Sequence, residues 1–280
     1  MRGIDRFFVG LTFMLILARL FDQVLLDPEN GSGPEIRRPV TVYEGVNPQL
    51  RKIKIDLRDA TINPSDAKPN SFYTGSAFAL SDVGHWATAA HVTNPCVQIL
   101  ILYEQKQGRH IPQLVEGWRA LEGTDVAVMD TSSGMPGMRL ASTPVEKGAK
   151  GYFFGYPKGK PSAGYALHIG RTRMVRFGGK EKEPADAWAV KELLPGKTIA
   201  LGGNSGGPVL NSVGEVIGVL SAGNDRRGRM FSSMVPVLGG LKTFSRPDHI
   251  SKVTLTPQNY AQYGEALRMQ GLVTRVQCRT

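Results

Sequence analysis

The stretch "GGNSGGPVLNSVGEVIGVLSAG", residues 202–223, joins a glycine-rich turn to two short apolar runs, "PVLN" and "EVIGVLSAG". Short apolar runs bounded by turn residues read as strands rather than helices. Working outward, the same pattern recurs in "TGSAFAL" (74–80), "HWATAAHV" (85–92), "CVQILILY" (96–103), "DVAVMD" (125–130), "GYFFGY" (151–156), "TIAL" (198–201) and "FSSMVPV" (231–237). No long amphipathic helices alternate with these runs, which excludes a parallel α/β sheet and predicts an all-β fold, an antiparallel sandwich or a pair of barrels. The 33 glycines and 18 prolines are spread through the 280 residues, as many turns between short elements require. One helix is predicted near the end, where Thr256 can cap, Pro257 fits the first position and "QNYAQYGEALRM" (258–269) follows.

The turn itself carries chemistry. Ser205 sits between Gly203-Asn204 and Gly206-Gly207, where successive backbone N–H groups can converge on one concavity. A serine there is either a structural hairpin residue or a nucleophile, and nucleophilic work needs a base and a group to orient it. Of the five histidines, only His91 stands at the end of a strand-like run among small residues, in "TAAHV". His85 follows the turn "SDVG" and reads as a hairpin residue. Asp125 leads directly into an apolar strand, a position where a partly buried carboxylate needs a partner, while Asp130 closes that strand and faces solvent.

Taken together, "GSAFALSDVGHWATAAHV", "GTDVAVMD", "GYP" and "GGNSGGPVLNSVGEVIGVLSAG" resemble the chymotrypsin-like serine proteases, especially the bacterial trypsin-like and HtrA-type (Deg) branch, over roughly residues 70–240. The resemblance implies two six-stranded antiparallel β-barrels with the site in the cleft between them, Ser205 as nucleophile, His91 as general base and Asp125 as its orienting carboxylate. The oxyanion hole would be the N–H groups of Gly203 and Ser205. By position, the base of the specificity pocket falls at Ile199, Ala200 and Leu201 and its opposite wall at Ser221, Ala222 and Gly223. These residues carry no acid, so cleavage after small or medium aliphatic residues is expected. Asn204 stands where digestive relatives carry an aspartate that pairs with a freshly cut N-terminus, which predicts activity without zymogen cleavage. About 35 residues follow position 245, too few for the PDZ domain that HtrA-type enzymes generally carry.

The rest of the chain is less specific. Arg2 and Arg6 precede the apolar segment "FFVGLTFMLILA" (7–18), whose 12 residues would span about 18 Å as a helix against a hydrocarbon core of about 30 Å. Residues 1–26 therefore read as a signal or membrane-anchor segment, giving an exported, periplasmic or membrane-anchored protein. A linker is expected over 27–45, the two barrels over 46–138 and 139–245, and a helix and tail over 246–280. The net charge of +10 is diffuse, with acids mixed into "GGKEKEPADAW" (178–188), so this region reads as solvated surface and no nucleic-acid partner is expected. Cys96 and Cys278 are either one disulfide or two separate thiols, and no Cys/His spacing suits a metal or cofactor. Polypeptide substrates are the expected partners, with a non-catalytic, protease-like peptide- or envelope-binding module as the alternative. The sequence leaves the oligomeric state open.

Overall fold

The computed structural model describes residues 61–62, 71–94, 96–104, 110–176, 182–195, 202–247 and 253–280. The anchor segment and linker read from the sequence lie outside these residues, as do Ile199, Ala200 and Leu201.

The chain is mostly β, and its strands fall into two sheets. The strands are β1 (Thr61–Ile62), β2 (Phe72–Ala79), β3 (His85–Ala89), β4 (Gln98–Glu104), β5 (His110–Leu114), β6 (Gly117–Ala120), β7 (Val126–Asp130), β8 (Lys150–Gly155), β9 (Ser162–Arg176), β10 (Lys182–Leu194), β11 (Pro208–Leu210), β12 (Val216–Asn224), β13 (Arg229–Ser233) and β14 (Val273–Arg279). One sheet runs β9-β10-β13-β12-β11-β8 and closes because β8 also pairs with β9, giving a six-stranded antiparallel barrel with β1 added in parallel at β9. The other runs β5-β4-β14-β2-β3-β7-β6 and remains a curled, open sheet.

The near-continuous apolar runs of the sequence are explained by burial on both faces. Along β8, Tyr152 and Phe154 join a core cluster that also holds Phe78, Ile101 and Val276 of the open sheet, while Phe153 between them points into the barrel with Trp188, Val190 and Met230. β12 is also buried on both sides, with its alternation reset where the β11–β12 register skips Ile217: Val216 and Val219 join the shared core, Ile217 and Leu220 the barrel cluster. A strand with two dry faces loses the polar alternation that would mark a half-exposed one.

Among the described residues, three short α-helices connect or cover the sheets: α1 (Ala90–Thr93), α2 (Val235–Leu238) and α3 (Tyr260–Met269). The expected C-terminal helix is α3. It starts at Tyr260, three residues after the expected Pro257, because Thr256–Asn259 first closes a turn: the Thr256 N–H donates to Asn259 Oδ1 at 2.8 Å and the Asn259 N–H to the Thr256 carbonyl at 3.2 Å. Tyr260, Gly264 and Leu267 form its buried stripe, with Gly264 pressed on the Phe154 ring of the barrel. The chain then turns at Gly271 (φ +71°) into β14, which enters the open sheet between β2 and β4. A disulfide between Cys96 and Cys278 ties β14 to the segment that follows α1.

The charge-rich segment before Trp188 departs from its reading as solvated surface. Lys182 and Pro184 of β10 are exposed, but Glu183 and Asp186 are buried on opposite faces of the strand, Glu183 on the face of Ala185 and Ala187 and Asp186 on that of Trp188.

Candidate active site

The register of the open sheet places the first two site residues. β3 pairs antiparallel with β7 as far as Ala89 opposite Val126, so the next residue on each strand brings the start of α1 against Asp125. Asp125 is buried and holds His91 twice: Oδ1 accepts the His91 backbone N–H at 2.9 Å and Oδ2 contacts ring Nδ1 at 2.7 Å. A carboxylate only accepts, so Nδ1 carries a proton, and in the neutral ring Nε2 is the nitrogen with the lone pair. Nε2 has no partner among the described residues, and the His91 side chain is 20% exposed. The ring is thus oriented from behind and open in front.

A second pair has the same residue types and the opposite character. His168 Nε2 lies 2.9 Å from Asp186 Oδ1 and Nδ1 lies 3.0 Å from the Glu146 carbonyl oxygen, with both residues buried in the barrel. Both ring nitrogens are occupied, which leaves no lone pair for a substrate proton. Nothing local in the sequence marks the His168 pair, since it depends on the β9–β10 register.

The Ser205 turn is wedged between the two sheets. The Gly206 N–H donates to the Leu220 carbonyl at 2.7 Å and the Ser76 N–H to the Ser205 carbonyl at 2.8 Å, fixing the turn to β12 on one side and β2 on the other. Gly206 has φ +87°, and a Cβ there would lie 2.1 Å from the Ser76 carbonyl oxygen and 2.9 Å from the Ala89 nitrogen, so only glycine permits this approach to the strand that leads into His91. Gly203 has φ +95° and packs on the Tyr156–Lys158 backbone. Among the described residues no carbonyl accepts the N–H of Gly203 or Ser205. The Ser205 hydroxyl donates weakly to the Ser221 carbonyl at 3.4 Å, and no hydrogen bond joins it to His91. Ser221 is the residue skipped where the β12–β13 register shifts between Leu220 and Ala222, and that bulge turns its carbonyl toward the serine.

Beside Ser205 lies a small recess lined by Asn204, Leu220, Ala222 and Met230. Ala222 is among the expected wall residues; Ser221 is buried and Gly223 is exposed at the strand's outer end. Met230 went unnoticed in the sequence because the run there reads from Phe231 onward, whereas β13 starts at Arg229 and sets Met230 opposite Gly223 and Trp188. The Asn204 carboxamide is buried under the turn, with the Ser162 hydroxyl 3.4 Å from its Oδ1. Among the described residues no group of three or more His, Cys, Asp or Glu is placed to hold a metal ion, and no helix is long and apolar enough to cross a membrane.

The sequence profile of the trypsin-like peptidase domain matches residues 75–219, just over half of the chain, and the chain belongs to that family of serine endopeptidases. No curated protein sequence matches it. Its fold is similar to an inactive form of Rv3671c from M. tuberculosis H37Rv (19% identity, 66% of this chain and 91% of that one, TM-score 0.47). It is also similar to the MamO protease domain from Magnetospirillum magneticum in its apo form (16% identity, 62% and 97%, TM-score 0.47). A third similar structure is the HtrA-type protease AlgW with a decapeptide (21% identity, 68% and 52%, TM-score 0.47).

Proposed function

We propose that this serine endopeptidase works through Ser205, His91 and Asp125. The observation that carries the reading is the His91 ring held by both oxygens of Asp125, with Nε2 open and the Ser205 turn packed against the same strand end. In this mechanism the Ser205 hydroxyl oxygen attacks the scissile carbonyl carbon while its proton passes to Nε2. The Asp125 carboxylate stabilises the imidazolium. Negative charge developing on the substrate oxygen is taken by the N–H groups of Gly203 and Ser205. Collapse breaks the C–N bond, the proton moves from His91 to the leaving amine, and water repeats the sequence on the acyl-enzyme. The Ser221 carbonyl is a natural acceptor for a substrate backbone N–H, and such a bond would release the Ser205 hydroxyl toward His91.

The test is labelling by a fluorophosphonate. The expected result is one adduct at Ser205, lost in Ser205→Ala and in His91→Ala, together with casein cleavage. Folded protein that neither labels nor cleaves casein would instead be the binding module.

The recess supports cleavage after small or medium aliphatic residues, since it is small and Leu220, Ala222 and Met230 supply apolar walls beside Asn204 and Ser205. Met230→Ala is expected to raise kcat/KM for a phenylalanine at the cleaved position by about tenfold relative to alanine, the scale of a few added methylenes in an apolar pocket. An unchanged preference would remove Met230 from the pocket. The uncharged, buried Asn204 supports activity without zymogen cleavage, since it offers no carboxylate to a new N-terminus. The Cys96–Cys278 disulfide supports an exported location, in keeping with residues 1–26 as signal or membrane anchor.

A further inference from the structure

The candidate oxyanion donors are backbone groups in a glycine turn, and such a turn has no intrinsic reason to hold one conformation. Something outside it must. Ser76, fully buried in β2, makes the contacts that could do so. Its N–H donates to the Ser205 carbonyl at 2.8 Å. Its hydroxyl donates to the Gly203 carbonyl at 2.8 Å and accepts the Tyr156 N–H at 2.9 Å. The direction of these bonds is forced: an N–H can only donate, so the single hydroxyl proton goes to Gly203. Ser76 is itself held, since the Thr88 hydroxyl donates to its carbonyl at 2.8 Å.

We infer that Ser76 is a positioning residue for the oxyanion hole, acting from the open sheet on a turn that belongs to the barrel. The inference rests on the reading of Ser205 as nucleophile. The Gly203 carbonyl belongs to the peptide between Gly203 and Asn204, so fixing it sets the rotation of Gly203 and, through Asn204, of the Ser205 N–H. No other donor among the described residues reaches that carbonyl. Without the hydroxyl, the peptide can rotate, because Gly203 has no Cβ to resist, and the two N–H groups cease to converge. The penalty falls on the transition state, where the oxyanion exists, and spares ground-state binding in the recess.

The experiment compares wild type with Ser76→Ala, Ser76→Cys and Ser76→Thr, with active sites counted by fluorophosphonate so that only folded, labelled enzyme is scored. Ser76→Ala is expected to lower kcat per site by about 10- to 100-fold, below the full loss of one oxyanion donor, with KM within about threefold. The inhibition constant of a peptide aldehyde, whose adduct places an oxygen in the hole, should rise by the same factor. Ser76→Cys keeps the shape with a weak donor and should show the same split if Ser76→Ala does not fold. Ser76→Thr restores the hydroxyl and should recover kcat to within about threefold. Unchanged kcat per site in both donor-deficient variants, or parallel changes in kcat and KM with no change in aldehyde affinity, overturns the inference. Wild type that fails to label sinks the reading of Ser205 instead.

Discussion

Asp125→Asn is expected to lower kcat by about 10⁴-fold with little change in KM or in the thermal midpoint. The size follows from which way the carboxamide must sit. Asp125 accepts two N–H groups from His91, the backbone at 2.9 Å and ring Nδ1 at 2.7 Å. The backbone N–H can only donate, so the amide oxygen of Asn must face it and the NH₂ must face Nδ1. Nδ1 then becomes an acceptor and the ring proton moves to Nε2, which leaves no lone pair for the Ser205 proton. Shape and hydrogen-bond count are preserved, so the loss is chemical. Asp186→Asn is the matched control, because the His168 pair is buried away from the recess; it should leave kcat per labelled site unchanged. Steady-state kinetics on site-titrated enzyme measures both. A loss of less than about tenfold in Asp125→Asn would mean that His91 is not the working base.

What the sequence made legible was whatever lies close together along the chain. The Ser205 turn is built by adjacent glycines, and the strands that lead into His91 and out of Asp125 are marked by buried apolar runs. The helix near the end could be read because its apolar stripe is local, although it starts at Tyr260 rather than at Pro257. Features set by register between distant strands were not readable. Met230 reaches the recess only through its β12 and β10 neighbours, and the His168–Asp186 pair only through the β9–β10 ladder. Ser76 illustrates the limit: within "TGSAFAL" it is one small polar residue in a strand, and its role emerges only where β2 meets a turn more than a hundred residues later. The residues 246–280 read as helix and tail hide β14 for the same reason, as its burial pattern is broken and its partners lie about two hundred positions earlier.

β14 is therefore where the largest stability effect is expected. It lies between β4 and β2, with Cys278 opposite Tyr73 and Ile99, and Arg275 opposite Ser76 itself. Deleting Val273–Thr280 would leave the β4–β5 hairpin with no backbone partner on that side and would uncover the β2 edge, so the deletion is expected to give no folded protein. The milder change is loss of the disulfide. Cys96 and Cys278 close a loop of 182 residues, and in the chain-entropy treatment releasing such a loop costs about 5 kcal/mol, a figure that native-state relaxation usually reduces. For a chain of this size that corresponds to a fall in thermal midpoint on the order of 10 °C. The Cys96→Ser/Cys278→Ser double variant avoids a free thiol, and its midpoint by circular dichroism against wild type is the measurement. Cys96 lies five positions after His91, and Val92 packs its methyls against Gly75 beside Ser76, so loosening this strand reaches the candidate base and the positioning serine together. Activity of the double variant should therefore fall with temperature before its midpoint, as β14 frays ahead of the barrel. A midpoint within about 2 °C of wild type would show that β14 is held by its ladders and core contacts alone.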